Sequence, residues 1–279
     1  RMSTTNQLHL WDDRFFYITE AIQSGLTARA SATLLASATG RPFVLVAFDG
    51  TVLRCTAALV APHVPRQLDA DGCGLLSLNV DPASGTFRRL AARLDGRGIL
   101  PLDAAGFGAL REDFEGALHG ELDSPALRRL SGGMLDAACG CAVKRPRGGD
   151  RPCLDPRVER VLQRMRDAGS HGMAGPLCDL AAVACLSPGR LTHLFHEQTG
   201  LSIKRYLLWS KIRRTVQMMA SGMPLTGIAL AGGFTDGAHM SRTFQRCFGL
   251  TPSFLADAGR VDVFVDDCAH TAWRGAQAC

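Results

Sequence analysis

Hydrophobic and polar residues follow two different periods along this chain of 279 residues. In its first third, short runs of β-forming residues alternate with turn signals, among them the hairpin dipeptides Asp49-Gly50 and Asp71-Gly72. We expect strands at residues 15–20, 33–38, 43–48, 51–60 and 75–80. Short strands joined by tight turns predict a small antiparallel barrel or sandwich.

After residue 82 the apolar residues recur at the three- and four-residue spacing of a helix. This period predicts helices at residues 87–94, 107–118 and 125–138. Two apolar stripes follow from it, formed by Leu110, Phe114 and Leu118 and by Leu127, Leu130 and Met134. The next segment, KRPRGGDRPCLDP at residues 144–156, is basic and rich in proline and glycine, which is typical of a linker.

The C-terminal part of the chain repeats one helical pattern. Residues 179–200 predict a short apolar helix, a turn, and a second helix that begins at Ser187-Pro188, a cap followed by a favoured first residue. Residues 225–252 repeat this order, with the second helix capped at Thr235 or Asp236. A short helix, a turn and a second helix are the parts of a helix-turn-helix unit.

Each second helix is expected to bury an apolar face and to expose a polar one. Arginine, histidine and hydroxyl side chains on an exposed helix face suit the base edges in the major groove of DNA. Between the two copies, residues 202–219 predict a continuous helix of about 27 Å, long enough to hold the polar faces roughly one DNA turn (~34 Å) apart. The polar faces consist of Arg190, Thr192, His193, His239, Ser241 and Arg242.

Positive charge is concentrated in the same region. Residues 202–254 contain seven basic residues and one acidic residue, a net charge of +6, whereas the whole chain has a net charge of +5. Such segregation is the expected footprint of phosphate binding. We therefore add Lys204, Arg205 and Arg213 to the candidate DNA contacts.

Residues 155–255 resemble the DNA-binding module of the AraC/XylS transcriptional regulators. The resemblance implies two helix-turn-helix units that enter successive major grooves of double-stranded DNA. Cys185 stands where a turn glycine is common in that family, and Gly189, Gly237 and Ala238 replace longer side chains. The resemblance rests on Leu180-Ala181, Leu186-Ser187-Pro188, Leu194-Phe195, Thr199-Gly200, Ile228-Ala229, Gly233-Phe234-Thr235-Asp236, Ser241-Arg242, Phe244, Phe248-Gly249 and Thr251-Pro252.

Residues 59–82 resemble the barrel strands of the cupin-like effector domains attached to many regulators of this family. Metal-binding cupins use a histidine pair and a later histidine, but this chain has no His-x-His, and Arg66 stands near the later position. His63 alone cannot hold a catalytic metal, so we expect a binding cup with no cofactor and no enzymatic activity. A metal-dependent cupin enzyme fused to a DNA-binding module remains the alternative, as does a thiol sensor at Cys73 or Cys139-Cys141.

A row of arginines suggests the chemistry of the effector. Arg89, Arg93 and Arg97 are spaced to share one helix face, and guanidinium groups suit phosphate or carboxylate. The row is either a solvated basic face or one wall of a site for an anionic small molecule, a cyclic dinucleotide being one candidate. The candidate effector-binding residues are Arg54, His63, Arg66, Arg89, Arg93 and Arg97.

These patterns predict an α+β protein of two main domains. We expect a cupin-like barrel at residues 1–82, a helical dimerisation segment at 83–143, the linker at 144–156, an all-α DNA-binding domain at 157–257 and a tail at 258–279. The family resembled implies dimer contacts through the helices after the barrel, although either apolar stripe could instead pack on its own barrel. No apolar run of 18 residues is present, so we expect no membrane span and a cytoplasmic protein. We expect the regulator to be an activator that contacts RNA polymerase.

Overall fold

The computed structural model describes residues 6–140, 154–169, 176–219 and 221–265. A sheet-rich N-terminal domain is followed by a helical C-terminal domain, which confirms the α+β class. The strands are β1 (Asn6–Trp11), β2 (Arg14–Thr19), β3 (Gln23–Thr27), β4 (Ala32–Ser37), β5 (Phe43–Ala47), β6 (Val52–Cys55), β7 (Ala57–Val60), β8 (Arg66–Asp69), β9 (Leu75–Val80), β10 (Ile99–Pro101) and β11 (Asp262–Val265).

Two sheets form the N-terminal domain. The larger has seven strands in the order β10-β7-β4-β9-β2-β1-β11, and the smaller has four in the order β3-β8-β5-β6. The five expected strands are present, but the run expected at 51–60 is divided at Thr56 into β6 and β7, which belong to different sheets. Strands β1, β3, β8 and β10 were not predicted from the sequence.

Helices cover one face of the seven-stranded sheet. They are α1 (Gly85–Leu94), a 3₁₀ helix (Ala104–Leu110), α2 (Arg111–Leu118) and α3 (Ser124–Ala138). Ser84 begins α1 by accepting a hydrogen bond from the N–H of Phe87 at 3.1 Å, and Asp123 begins α3 in the same way with Ala126 at 2.8 Å. All three expected helices are therefore present, the second as a 3₁₀ turn that continues into α2.

The two apolar stripes lie in the core of this layer. Leu127, Leu130 and Met134 are at most 2% exposed, and Phe114 is 4% exposed. They pack with sheet residues such as Phe16 and Leu34, which makes the layer one hydrophobic core. The stripes thus pack on their own domain, the alternative that the sequence left open, although Leu110 and Leu118 are only half-buried, and dimerisation through residues 83–143 stays a prediction.

The opposite face of the large sheet is covered by two different elements. Its β7, β4 and β9 part packs on the four-stranded sheet through residues such as Leu35, Val60 and Leu68. Its β1 and β2 part packs on the C-terminal domain through Leu8, Leu10, Phe15 and Tyr17. The two domains thus share a hydrophobic core.

The C-terminal domain is helical throughout the residues that are described. Its order is short helix, turn, long helix, twice over, with one continuous helix between the copies. The helices are α4 (Pro156–Gly169), α5 (Leu177–Val183), α6 (Pro188–Thr199), α7 (Ile203–Met219), α8 (Leu225–Ala231), α9 (Gly237–Phe248) and α10 (Pro252–Leu255).

Two of the expected boundaries need correction. The barrel does not end at residue 82, because β10 pairs with β7 in the large sheet. The expected tail is not a separate segment either: β11 returns from the C-terminal domain and pairs in parallel with β1, from Gln7 against Asp262 to Leu10 against Val265. Most of the expected linker, and the chain after Val265, lie outside the described residues.

Candidate DNA interface and domain junction

The first helix-turn-helix unit consists of α5 and α6. Ser187 caps α6, its Oγ accepting a hydrogen bond from the N–H of Arg190 at 3.4 Å. Leu191 and Phe195, both 0% exposed, anchor α6 in the domain core. The outward face therefore has a fixed direction, and Arg190, Thr192 and His193 on it are exposed.

The second unit consists of α8 and α9 and is built in the same way. The carboxylate of Asp236 caps α9 by accepting from the N–H of His239 at 2.6 Å, so the cap is Asp236 and not Thr235. Met240 and Phe244 are buried beneath it. Arg242 is exposed, and Ser241 and His239 are half-buried.

His239 is held in place by its neighbours. Its ring lies edge-on to Phe234, with 5.4 Å between ring centroids, and its Nδ1 is 3.4 Å from Thr235 Oγ1. Thr192 Oγ1 donates to the carbonyl of Pro188 at 2.9 Å, which leaves its oxygen free to accept one more hydrogen bond. Both polar faces thus combine a positioned side chain with an exposed arginine.

Helix α7 joins the two units and also contacts the N-terminal domain. Its 17 residues correspond to about 25 Å. Trp209 is buried on it and donates from Nε1 to Asp81 Oδ2 at 3.0 Å, and its ring meets Phe15 edge-on at 4.9 Å. Helix α7, the spacer between the DNA-binding units, therefore also joins the helical domain to the N-terminal domain.

Arg213 belongs to this junction. Its guanidinium lies 3.5 Å from Asp81 Oδ2 and donates to the backbone carbonyls of Trp11 and Asp12. Its side chain is 14% exposed. The expected role of Arg213 as a phosphate contact is thus wrong for the docked arrangement, because the N-terminal domain occupies its donors.

Lys204 and Arg205 lie exposed in the first turn of α7. Arg205 is close enough to the N-terminal domain for its charge to act on His63: burial first, and then the charge of Arg205, lower the pKa of that imidazole. His63 has a positive φ of 60°. The N-terminal domain therefore lies near α7 at Arg205 as well as at Trp209 and Arg213.

The turn of the first unit carries an unusual residue. Cys185 has a φ of 54°, in the left-handed region that favours glycine. It is exposed, as is Cys178 on α5. The equivalent position of the second unit is Gly233, with a φ of 83°. Cys185 thus replaces the turn glycine, as expected, but its backbone keeps the left-handed conformation that such a glycine adopts.

The expected effector residues do not come together. Arg54 is exposed on β6, at the edge of the small sheet, whereas Arg89 lies on α1, on the other side of the large sheet, and pairs with Asp136 at 3.1 Å. Arg93 is exposed on α1. Arg97 is not on that helix, because α1 ends at Leu94 with Asp95 in a left-handed conformation. The expectation of one arginine face against the barrel is therefore wrong.

Arg66 alone among the expected effector arginines points into the N-terminal domain. It is 1% exposed and donates to the carbonyl of Thr27 at 3.2 Å. A second buried arginine, Arg29, was not predicted. It is 7% exposed and donates to Ser77 Oγ at 3.0 Å and to Asn79 Oδ1 at 2.7 Å. Because these partners are about 50 positions away, no local pattern could have indicated the cluster.

The groups considered for metal or thiol chemistry are placed as follows. Within the described residues, no three His, Cys, Asp or Glu side chains come together as ligands for a metal ion. Cys73 is buried, burial raises the pKa of its thiol, and its Sγ is 3.6 Å from the carbonyl of Ala70. Cys139 is half-buried, and Cys141 lies outside the described residues. In the part of the chain described, no helix has the length and apolar content needed to cross a membrane.

The helical domain is similar to known helix-turn-helix domains. Residues 180–257 match the family model described as a helix-turn-helix domain. The arabinose operon regulatory proteins of Salmonella typhimurium and Escherichia coli are each 37% identical to this chain, over 111 and 109 residues. These alignments cover 37% of this chain and 36% and 35% of those proteins, so the match spans about a third of the length of the relatives.

The likeness to solved structures extends over both domains. The crystal structure of the apo K231A variant of ToxT from Vibrio cholerae has a TM-score of 0.52 at 11% identity, covering 86% of this chain and 96% of that one. ToxT from Vibrio cholerae O395 gives a TM-score of 0.51 at 11% identity, covering 88% and 98%. At this identity the likeness concerns the fold, a sheet-rich domain followed by a double helix-turn-helix domain.

Proposed function

We propose that this chain is a regulator of the AraC/XylS type, a sequence-specific DNA-binding transcriptional regulator controlled by a ligand of its N-terminal domain. One observation supports this most strongly. Two helix-turn-helix units of the same build, joined by α7, leave the polar faces of α6 and α9 uncovered. A helix with a buried apolar anchor and an exposed arginine is suited to the major groove.

The exposed residues of the helical domain fall into two groups, those that read bases and those that contact phosphates. Arg242 on α9 is the strongest candidate for reading a base, because a guanidinium can bind guanine O6 and N7 together. Arg190, Thr192 and His193 form the corresponding face of α6. Lys204 and Arg205 contact phosphates, which position the protein on DNA without reading its sequence.

The remaining parts of the proposal concern partners. The effector is a small anion bound by the N-terminal domain, and the protein is a binder and not an enzyme. It acts in the cytoplasm as a homodimer, and as an activator it contacts RNA polymerase. The dimer contact stays assigned to residues 83–143, outside the buried side chains of the two stripes.

The proposal is tested by selecting duplexes from a random pool with the full-length protein. We expect one enriched sequence with two conserved blocks about 10 base pairs apart, centre to centre, as two reading helices in successive grooves require. Binding to it should weaken with salt, with a log–log slope near −4.5 if about five phosphates are neutralised. An unenriched pool, or a flat salt response, would contradict the proposal.

A further inference from the structure

A cavity of about 130 Å³ lies between the large sheet and the helices that cover it. One wall comes from the neighbouring ends of β4 and β7, and the other comes from the 3₁₀ helix and α2. The helical C-terminal domain packs on the opposite face of this sheet. The cavity is therefore separate from the domain junction and from both reading helices.

Two phenylalanine rings give the cavity its apolar character. Phe107 and Phe114 are 6% and 4% exposed, and their ring centroids are 6.3 Å apart with 41° between the planes. Such tilted rings leave faces and edges that a third aromatic ring can meet in the geometry it prefers. An apolar cavity of about 150 Å³ holds one benzene molecule, so this cavity has about the size of a single aromatic ring. Small residues leave the space open, namely Ala36, Ala38, Ala57, Ala104 and Gly108.

One arginine gives the cavity a polar end. Arg111 lines it from the start of α2 and is exposed, and it forms no ion pair with a carboxylate in the part of the chain that the structure describes. Its guanidinium lies against Gly40, where an added Cβ would be 2.6 Å from Nη2. A guanidinium has five donors and no acceptor. A ligand group that meets it must therefore accept hydrogen bonds.

The surroundings of Arg111 favour a neutral acceptor over an anion. Glu112 and Asp113 follow it in the first turn of α2, and all three side chains are exposed. Two carboxylates thus offset the charge of the arginine, and water screens what remains of its attraction for an anion. A charged group brought against the apolar walls also loses solvation. A carbonyl oxygen avoids this cost and needs only a donor, which the guanidinium provides.

We propose that this cavity binds a single-ring aromatic compound with a neutral carbonyl group. The ring lies against Phe107 and Phe114, and the carbonyl oxygen accepts from Arg111. The site goes beyond the proposed function, because its ligand touches neither the reading helices nor the domain junction. A bound ring joins the 3₁₀ helix and α2 to the sheet, so it protects the backbone amides of residues 104–118 from hydrogen exchange.

The test measures binding of acetophenone to the full-length chain by calorimetry, with ethylbenzene and benzoate as comparisons. Ethylbenzene keeps the ring but has no acceptor, and benzoate keeps the acceptor but adds a charge. Acetophenone should bind at least fivefold more tightly than either and should raise the melting temperature, as a ligand of the folded state does. Hydrogen exchange should slow in residues 104–118 and stay unchanged in α9.

Four variants locate the ligand. Arg111→Met should weaken acetophenone binding to the level of ethylbenzene and leave ethylbenzene binding unchanged, whereas Arg129→Met, at an exposed position of α3, should change neither. Gly108→Leu should weaken both ligands at least tenfold, because the residue lines the cavity. Gly106→Leu is its control in the same 3₁₀ helix, outside the cavity lining. An added Cβ meets nothing within 4 Å at either glycine, so both variants should fold.

Several results would overturn the proposal. These are equal binding of ethylbenzene, tighter binding of benzoate, unchanged acetophenone binding in Arg111→Met or in a folded Gly108→Leu, or slowed exchange in α9 in place of residues 104–118. All of these measurements are made without DNA. Failure to bind DNA would contradict the proposed function and leave this site intact, and the reverse also holds.

Discussion

Arg213→Ala is expected to loosen the junction of the two domains without removing a phosphate contact. The substitution deletes the cation that lies 3.5 Å from Asp81 and that donates to two backbone carbonyls of the N-terminal domain. The Asp81 side chain is 10% exposed, so its charge would stay largely buried. Two hydrogen bonds would remain to satisfy it, one from Trp209 Nε1 to Oδ2 and one from the N–H of Ala83 to Oδ1.

The size of the effect follows from this geometry. Breaking a buried ion pair by removing one partner costs about 3–5 kcal/mol. The two remaining hydrogen bonds and the slight exposure of both side chains place the expected loss at about 2–3 kcal/mol, or roughly 4–12 °C in melting temperature. Asp81→Asn should cost a similar amount, and the double variant should cost clearly less than the sum, since both changes remove one interaction.

Thermal unfolding of the full-length chain, followed by calorimetry, measures these losses, with Arg260→Ala as an exposed control. The salt slope of DNA binding should be the same in Arg213→Ala as in the wild type. If the slope instead falls in magnitude by about 0.9 while the melting temperature is unchanged, Arg213 binds phosphate and the junction assignment is wrong.

Three further predictions concern stability. Cys185→Gly should raise the free energy of unfolding by about 1 kcal/mol, because glycine adopts the left-handed backbone conformation of this position without strain. Cys178→Gly, inside α5, is the control and should lower the free energy of unfolding. A lower free energy of unfolding in Cys185→Gly would refute the idea that the backbone is strained there. Leu127→Asp should lower the free energy of unfolding by more than about 4 kcal/mol, because the Leu127 side chain is 1% exposed. If the variant instead folds and sediments as a monomer where the wild type is a dimer, the stripe is an interface. Since burial lowers the pKa of His63 in the folded state, unfolded chains bind more protons below pH ~6.5, and stability should fall as pH decreases through that value. His63→Asn should flatten this dependence, and an unchanged pH profile would exclude His63 as its source.

The parts that could be predicted from the sequence are those encoded by local periodicity. The helices of the DNA-binding domain follow from caps such as Ser187 and Asp236 and from apolar anchors three or four residues apart. The fold class followed in the same way. Strand β8 was missed because its buried positions include a charged residue, Arg66, where a half-buried strand would show an apolar one.

The junction could not be predicted because its contacts join distant residues. Trp209 meets Asp81 across 128 positions, and Arg29 meets Asn79 across 50. An apolar stripe likewise does not say what covers it, and the stripes of α2 and α3 proved to face their own sheet. Arg97 was misplaced because its spacing from Arg89 and Arg93 was taken as evidence of one helix face, although the helix predicted at residues 87–94 ends before it, as α1 does.

The central claim, that α9 reads bases in DNA, is tested most directly by titrating the wild type and Arg242→Ala against a selected duplex and its single-base variants. Arg242→Ala should weaken binding to the selected duplex by about 1–3 kcal/mol, a factor of about 5 to 150, and should abolish the preference at one base pair. Equal weakening on every duplex, with all base preferences retained, would identify Arg242 as a phosphate contact and contradict the account.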